Sequence, residues 1–238
     1  MEVHPPHLSK EKKHLQEYLL EGLMIFIAVF LGFIAENVRE HISDKSKEKA
    51  YMKSLYVDIC NDSAAIADII QREKIISKGQ DSLLIILNHH PLSEAYIDSA
   101  YLLFFKYGDV VPEYLANEKT FNQLISTGNF RLIHNPALAD SISSYYDKVK
   151  SLNFQAAVVN SNAMDCGLYA QNIFKLKYGL HLEQPHKTLI TTDAAMLEKY
   201  SNKLLQMRFS TQFYIFYQLK NVENSCLTLK HMLEQQAT

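Results

Sequence analysis

The hydrophobic pattern of this chain changes character once. From Gly22 to Ala35 no residue is charged and none carries a hydrogen-bonding side chain. At about 1.5 Å per residue those fourteen residues make roughly 21 Å of helix. A bilayer core of about 30 Å usually takes about 20 residues. Extending the run back to Tyr18 lengthens it but admits Glu21. An acidic side chain costs about 2.5–3.5 kcal/mol at mid-bilayer and less near an end. Glu21 lies one turn inside the N-terminal edge. Each Phe, Ile, Leu or Val returns about 0.3–0.6 kcal/mol at the centre, so insertion is favoured. A soluble core helix normally keeps a polar stripe, and this run has none. A cleaved leader wants small residues before its cleavage site, and cutting after Ala35 would put Phe33 at the −3 position. Tyr18 to Ala35 therefore reads as an uncleaved signal anchor, a single N-terminal transmembrane helix in contact with the lipid bilayer.

After the span the pattern becomes helical and amphipathic. Glu36 to Lys53 mixes both charge signs without Pro or Gly and reads as a solvated stalk. Glu36–Arg39 and Asp44–Lys47 are opposite charges at i,i+3 spacing, which support a helix. Apolar residues then recur at Met52, Leu55, Tyr56, Ile59, Ser63, Ile66 and Ile70, continuing through Leu83, Leu84 and Leu87. Gly79 is expected to soften this helix. Asn88, His89, His90 and Pro91 stop it, because proline disfavours helix in the residue before it. Ala95 to Tyr107 predicts a short helix. Asn117 is placed to cap another that ends at Gly128. Asn135-Pro136 predicts a sharp helix start, and the stripe beyond it runs from Leu138 to Phe174, with Gly179 as the expected stop. Thr192 or Asp193 caps a last helix with a stripe from Leu197 to Leu233. Its spacing resembles that of coiled-coil helices, with one extra step of four near Thr211.

The expected fold is all-α. A single N-terminal transmembrane helix continues into a helical bundle of three long helices plus a short helical pair, in antiparallel packing. The expected division is a polar tail over 1–17, the span over 18–35, the stalk over 36–53 and the bundle over 54–238.

Composition agrees with helices. Seven Gly and six Pro in 238 residues are few for a strand-rich fold, which needs more turns. A net charge of −2 leaves no basic surplus to neutralise phosphates, which argues against nucleic acid. Cys60, Cys166 and Cys226 are an odd set in apolar helical contexts and read as buried thiols. One disulfide would be open to a periplasmic domain, with the pair left undetermined.

Candidate chemistry is sparse. His4, His7 and His14 lie on a proline-containing tail, and His89-His90 point apart on a helix. His181, Glu183 and His186 are a two-histidine, one-carboxylate set of metal-ligating type, in a loop that favours solvated side chains instead. No zincin, C-x-x-C, nucleophile-elbow or phosphate-loop motif occurs. No catalytic residue, metal site or cofactor is therefore assigned. Tyr145-Tyr146 and the Phe209–Tyr217 aromatics read as core and rim. Within the span, Ala28 and Gly32 form a small-xxx-small pair with Ala35 near the same face. Such faces let helices approach closely, so the membrane-helix residues singled out are Tyr18, Glu21, Gly22, Ala28, Gly32 and Ala35. They offer a route to a homo-oligomer.

The segment EYLLEGLMIFIAVFLGFIAENVREH (Glu17 to His41) resembles a family of uncharacterised single-pass membrane proteins of Gram-negative bacteria. His4-Pro5-Pro6-His7, Phe121-x-x-Leu124-x-x-x-Gly128, Ile133-x-Asn135 and Tyr145-Tyr146-Asp147 are similar to it as well. Related groups often carry a tryptophan just after the span, where this chain has Asn37-Val38-Arg39. The resemblance implies a membrane-anchored helical domain with no established activity and no catalytic residues to carry over; the expected location is the bacterial inner membrane. Lys10, Lys12 and Lys13 before the span nearly balance Arg39, Lys45, Lys47 and Lys49 after it, and a large C-terminal domain translocates regardless of such charges. The adopted orientation has a cytoplasmic N-terminus and a periplasmic bundle. The expected function is a membrane-anchored interaction or scaffold protein, non-enzymatic, with an unknown protein partner. The alternative is a sensory, small-ligand-binding module that signals through a separate membrane partner.

Overall fold

The computed structural model describes residues 15–89 and 91–237, and no strand occurs among them. The fold is all-α. The chain divides into two compact units, Met1–Ala50 and Tyr51–Thr238, and the first helix, α1 (Leu15–Leu87), contributes to both. In the first unit every residue from Leu15 to Ile42 is solvent-exposed. Arg39 pairs with Glu36, and Lys47 with Asp44 at 3.1 Å, as the charge spacing predicts.

In the second unit α1 buries Leu55, Ile59, Asp62, Ile66, Ile69, Glu73, Gln80, Leu83, Leu84 and Leu87. Steps of three, four and seven predominate and keep one face inward. The face passes through Asp62, where an apolar reading of the pattern selects Ser63. Helix α2 (Glu94–Tyr107) starts at Ser93, whose hydroxyl accepts from the Tyr96 N–H. Helix α3 (Lys119–Ser126) is not capped by Asn117: that side chain donates to Asp62 instead, at 2.7 Å. Gly128 follows α3 with φ +69°, a left-handed position that suits glycine. Helix α4 (Pro136–Ala170) begins as the sequence predicts, with the Asn135 Oδ1 accepting from the Leu138 N–H.

α4 ends at Ala170, short of Gly179. Ile173 and Phe174 are buried, which explains why the apolar stripe continues past the helix. Their N–H groups bond back to the Ala170 carbonyl at 2.9 and 2.8 Å, and the helical ladder stops there. The Ile173 carbonyl accepts from Ile190 at 2.8 Å, and the Lys175 N–H donates to the Tyr101 hydroxyl at 2.8 Å. A short 3-10 turn, Leu176–Leu180, follows.

Asp193 caps α5 (Ala194–Phe213) by accepting from the Met196 N–H at 3.0 Å. The last helix is not uniform. Tyr214–Leu219 is a π-helical segment between α5 and α6 (Lys220–Ala237). The buried positions Met207, Thr211, Ile215 and Leu219 are spaced by four. An α-helix of 3.6 residues per turn would rotate such a row off the core; the wider π turn absorbs the surplus and returns Val222, Cys226, Leu229 and Leu233 to the interior. The extra step near Thr211 is therefore taken up inside one helix.

The packing is not wholly antiparallel. Tyr56 meets Glu234, and Asp81 meets Arg208, so α1 opposes α5 and α6. Asp165 meets Lys203, and Asn162 meets Ser210, so α4 opposes α5 too. α1 and α4 consequently run parallel. The connection between them explains this. α2 packs in a cluster with Leu83, Leu87, Cys166 and Met207, whereas Tyr114, Leu124 and Ile133 pack in a second cluster with Leu55, Ile59, Ile142 and Leu229. Residues 88–135 thus carry the chain back along the bundle before α4 starts.

Candidate functional site

Tyr18, Glu21, Gly22, Ala28, Gly32 and Ala35 all lie on the exposed part of α1. One helix among the described residues, α1, is long and apolar enough to cross a membrane, and its apolar window is wholly unburied. Nothing lies within 4 Å of a Cβ added at Gly22 or Gly32. Helical periodicity puts Glu21, Ala28, Gly32 and Ala35 on one face, at i, i+7, i+11 and i+14.

In the second unit the most polar interior cluster surrounds Asp62, which is fully buried. Its Oδ1 accepts from the Asn117 N–H at 2.8 Å and from the Asn117 amide at 2.7 Å. Its Oδ2 accepts from the Tyr145 hydroxyl at 2.6 Å, which lies 2.9 Å from the Tyr114 hydroxyl. One turn earlier, the Asp58 carboxylate accepts from the Thr120 N–H at 3.2 Å. Two carboxylates of α1 thereby satisfy backbone donors at the start of α3, which lacks a side-chain cap of its own. Burial raises the Tyr145 and Tyr114 hydroxyls well above the usual tyrosine value, and the neighbouring phenol and carboxylate add to the effect at Tyr145. Both phenols stay protonated and donate. The cluster is closed: its donors and acceptors serve each other, and it fixes the loop against α1. Sequence reading missed it. The available signal was a carboxylate in the middle of an apolar stripe.

A second polar layer separates the two apolar clusters. Gln80 donates to the carbonyls of Tyr107 and Val110 at 3.0 and 3.1 Å. Glu73 is buried, accepts from the Ser77 hydroxyl at 2.6 Å through Oε1, and leaves Oε2 without a hydrogen-bond partner. Burial raises its carboxyl above the usual range, against the pull of Ser77 and Arg208. Arg208 pairs with Asp81, while its Nε has no partner.

Phe104, Phe105, Asp109, Met164, Gly167, Leu168, Gln171 and Leu176 line an open groove of about 330 Å³. A Cβ on Gly167 would lie 2.7 Å from the Asp109 carboxylate, so that glycine admits the acid.

His181, Glu183 and His186, read from the sequence as solvated loop residues, do not converge. His181 faces Glu183 at 3.5 Å, whereas His186 turns to Glu94 at 2.8 Å. Asp98 holds the same loop through the N–H groups of His186 and Lys187, at 3.1 and 2.9 Å. His4, His7, His14 and His90 lie outside the described residues. Cys60, Cys166 and Cys226 are free thiols, the last two buried. Tyr145 and Tyr146 are core, and within the predicted aromatic rim Tyr214 is buried while Phe209, Phe213, Phe216 and Tyr217 are exposed.

No protein-family profile, curated protein or solved structure matches this chain.

Proposed function

We propose that this chain is a membrane-anchored helical interaction or scaffold protein without enzymatic activity. The observation that carries the reading is the exposed apolar start of α1, whose uncharged residues find no cover among the described residues. A bilayer supplies that cover, and the helical unit is then the part available to other proteins. The closed state of the Asp62 cluster favours a structural role for its polar side chains over a catalytic one. The resemblance of the span and its flanks to single-pass proteins of Gram-negative bacteria supports an inner-membrane location, and the adopted orientation puts the bundle in the periplasm.

Two measurements test this. Thiol labelling at an added N-terminal cysteine, compared with one near Thr238, reports the sidedness; a periplasmic N-terminus refutes the orientation. General crosslinking in native membranes is expected to capture a protein partner. A chain that is released by alkaline extraction, or that captures no protein, refutes the anchored-scaffold reading.

The groove beside α2 favours a second reading, a small-ligand module. Exposed Asp109 borders Phe105, Met164 and Leu168 in this groove and forms no hydrogen bond or ion pair among the described residues, which suits an amine with an apolar body. A thermal-shift screen with alkylamines tests it. No stabilisation that depends on Asp109 refutes it.

A further inference from the structure

The interaction reading leaves the partner open, and one face of the bundle narrows it. Along α4, Ser151 to Met164 contains no charged residue; along α5 and the π segment, neither does Phe209 to Leu219. The two runs are neighbours. Asn162 donates to Ser210 at 3.0 Å, and the helices are antiparallel there, so Val158 and Phe154 stand level with Phe213 and Tyr217. All four are solvent-exposed, from 47% to 71%, and so are Phe209 and Phe216. The rings of Phe213 and Tyr217 stack at 5.4 Å.

The area and the charge say what covers this face. A fully buried aromatic side chain hides about 150–250 Å². Five aromatics at 49–71% exposure therefore offer on the order of 500 Å². Uncharged neighbours such as Asn153, Ala157 and Val158 extend that towards the roughly 800 Å² per partner of a specific interface. Around α5 the bordering bases are matched, Lys203 with Asp165, Arg208 with Asp81 and Lys220 with Glu223; exposed Lys148 and Lys150, which form no ion pair among the described residues, stand only at the N-terminal end of the α4 run. Membrane-surface faces are instead rich in Lys and Arg along their whole polar side, not at one end alone. A charged partner would likewise need opposite charge here. A two-fold interface sets each patch against its own copy, so charges near its axis would meet their own kind. A neutral aromatic band is what such a face requires.

We infer that the α4–α5 face around Phe154, Val158, Phe213 and Tyr217 binds a second copy of this chain. The inference rests on the interaction reading and identifies its partner. It also moves self-association from the small-residue face of the span to the bundle.

The test places a benzophenone amino acid at Phe216 of the full chain in native membranes. The expected photoproduct contains two copies of the chain. Phe213→Ser with Tyr217→Ser, and separately Phe154→Ser, should lower its yield about tenfold or more, as loss of central aromatic anchors does. Because these side chains are exposed, helical circular dichroism and melting should not change. Adducts with lipid alone overturn the inference. So does a dimer that survives the serine variants but is lost with Gly32→Leu. Adducts only with a different protein overturn the second-copy partner while leaving the interaction reading standing.

Discussion

Replacing Asp62 with alanine tests whether the buried cluster holds the α2–α4 connection in place. The substitution removes the acceptor of three hydrogen bonds, of 2.6, 2.7 and 2.8 Å. The single Tyr114–Tyr145 contact holds one of the two phenol protons, so the orphans are the other phenol proton and the N–H and side-chain amide of half-buried Asn117. Each unsatisfied buried donor costs about 1–3 kcal/mol. Removing a buried charge returns part of its desolvation penalty. The net expectation is a loss of about 2–4 kcal/mol. For a folded unit of this size that lowers the melting temperature by roughly 5–15 °C. Asp62→Asn separates the explanations. Its oxygen still accepts from Asn117, and its amide donates to Tyr145, which turns its own proton to Tyr114 and leaves the Tyr114 proton as the one orphan. Its cost should be about 1 kcal/mol. Urea titration of the full chain in detergent, followed by circular dichroism, reads both midpoints at a shared slope. An alanine variant within about 1 kcal/mol of wild type, or an asparagine variant equally damaged, would sink the argument.

Four other outcomes are expected. Gly79→Ala should destabilise by about 1–3 kcal/mol despite alanine's better helix propensity, because its Cβ would lie 2.1 Å from the Tyr107 ring; the same change at Gly32, with nothing within 4 Å, should leave the melting temperature unchanged. Glu73→Gln should raise stability by about 1 kcal/mol near pH 7, since it neutralises a buried group whose raised pKa marks a penalty on the charged form. That gain should fade as pH falls below the ordinary 4.5, where Glu73 is protonated in both states. Burial pushes the Cys166 and Cys226 thiols from 9.0 up to about 12, so stability should fall as pH rises from 9.0 towards 12, by about 1.4 kcal/mol per pH unit for each thiol. Urea midpoints should fall less steeply across that window in a Cys166→Ala, Cys226→Ala variant, the buried tyrosines keeping their own share of the loss above pH 10. Deleting exposed Phe216 should turn the π segment into α-helix at little cost, whereas deleting exposed Asn202 in α5 should melt the unit; equal melting temperatures would refute this account of the π turn.

Most of the fold was legible because it rests on local signals. Apolar spacing located the long helices, and the Asn135-Pro136 and Asp193 caps are where the sequence places them. The failures share a cause. Phe174 satisfies an apolar stripe without being helical, because burial depends on position and not on backbone conformation. Asn117 has the chemistry of a cap, but an acceptor from α1, fifty-five residues away in sequence, outcompetes that local use. The parallel course of α1 and α4 depends on how far residues 88–135 travel, and no periodicity encodes that distance.

The candidate site was less legible because its residues are exceptions to the pattern that reveals the fold. Asp62 and Glu73 occupy inward positions of α1, where a search for apolar repeats steps to the nearest tolerable neighbour and passes over the carboxylate. Such a carboxylate belongs there only if donors arrive from elsewhere in the chain, as Asn117 and Tyr145 do for Asp62. Phe213 and Tyr217 fail in the opposite sense. They are apolar enough for a core, yet Tyr214 and Ile215 between them take the interior positions and leave them outside. The spacing of four from Met207 to Leu219 supplies the link. A row that needs a π turn to stay buried also widens the helix where its outer aromatics stand, so one irregularity in the sequence decides both what the bundle buries and what it leaves for a partner.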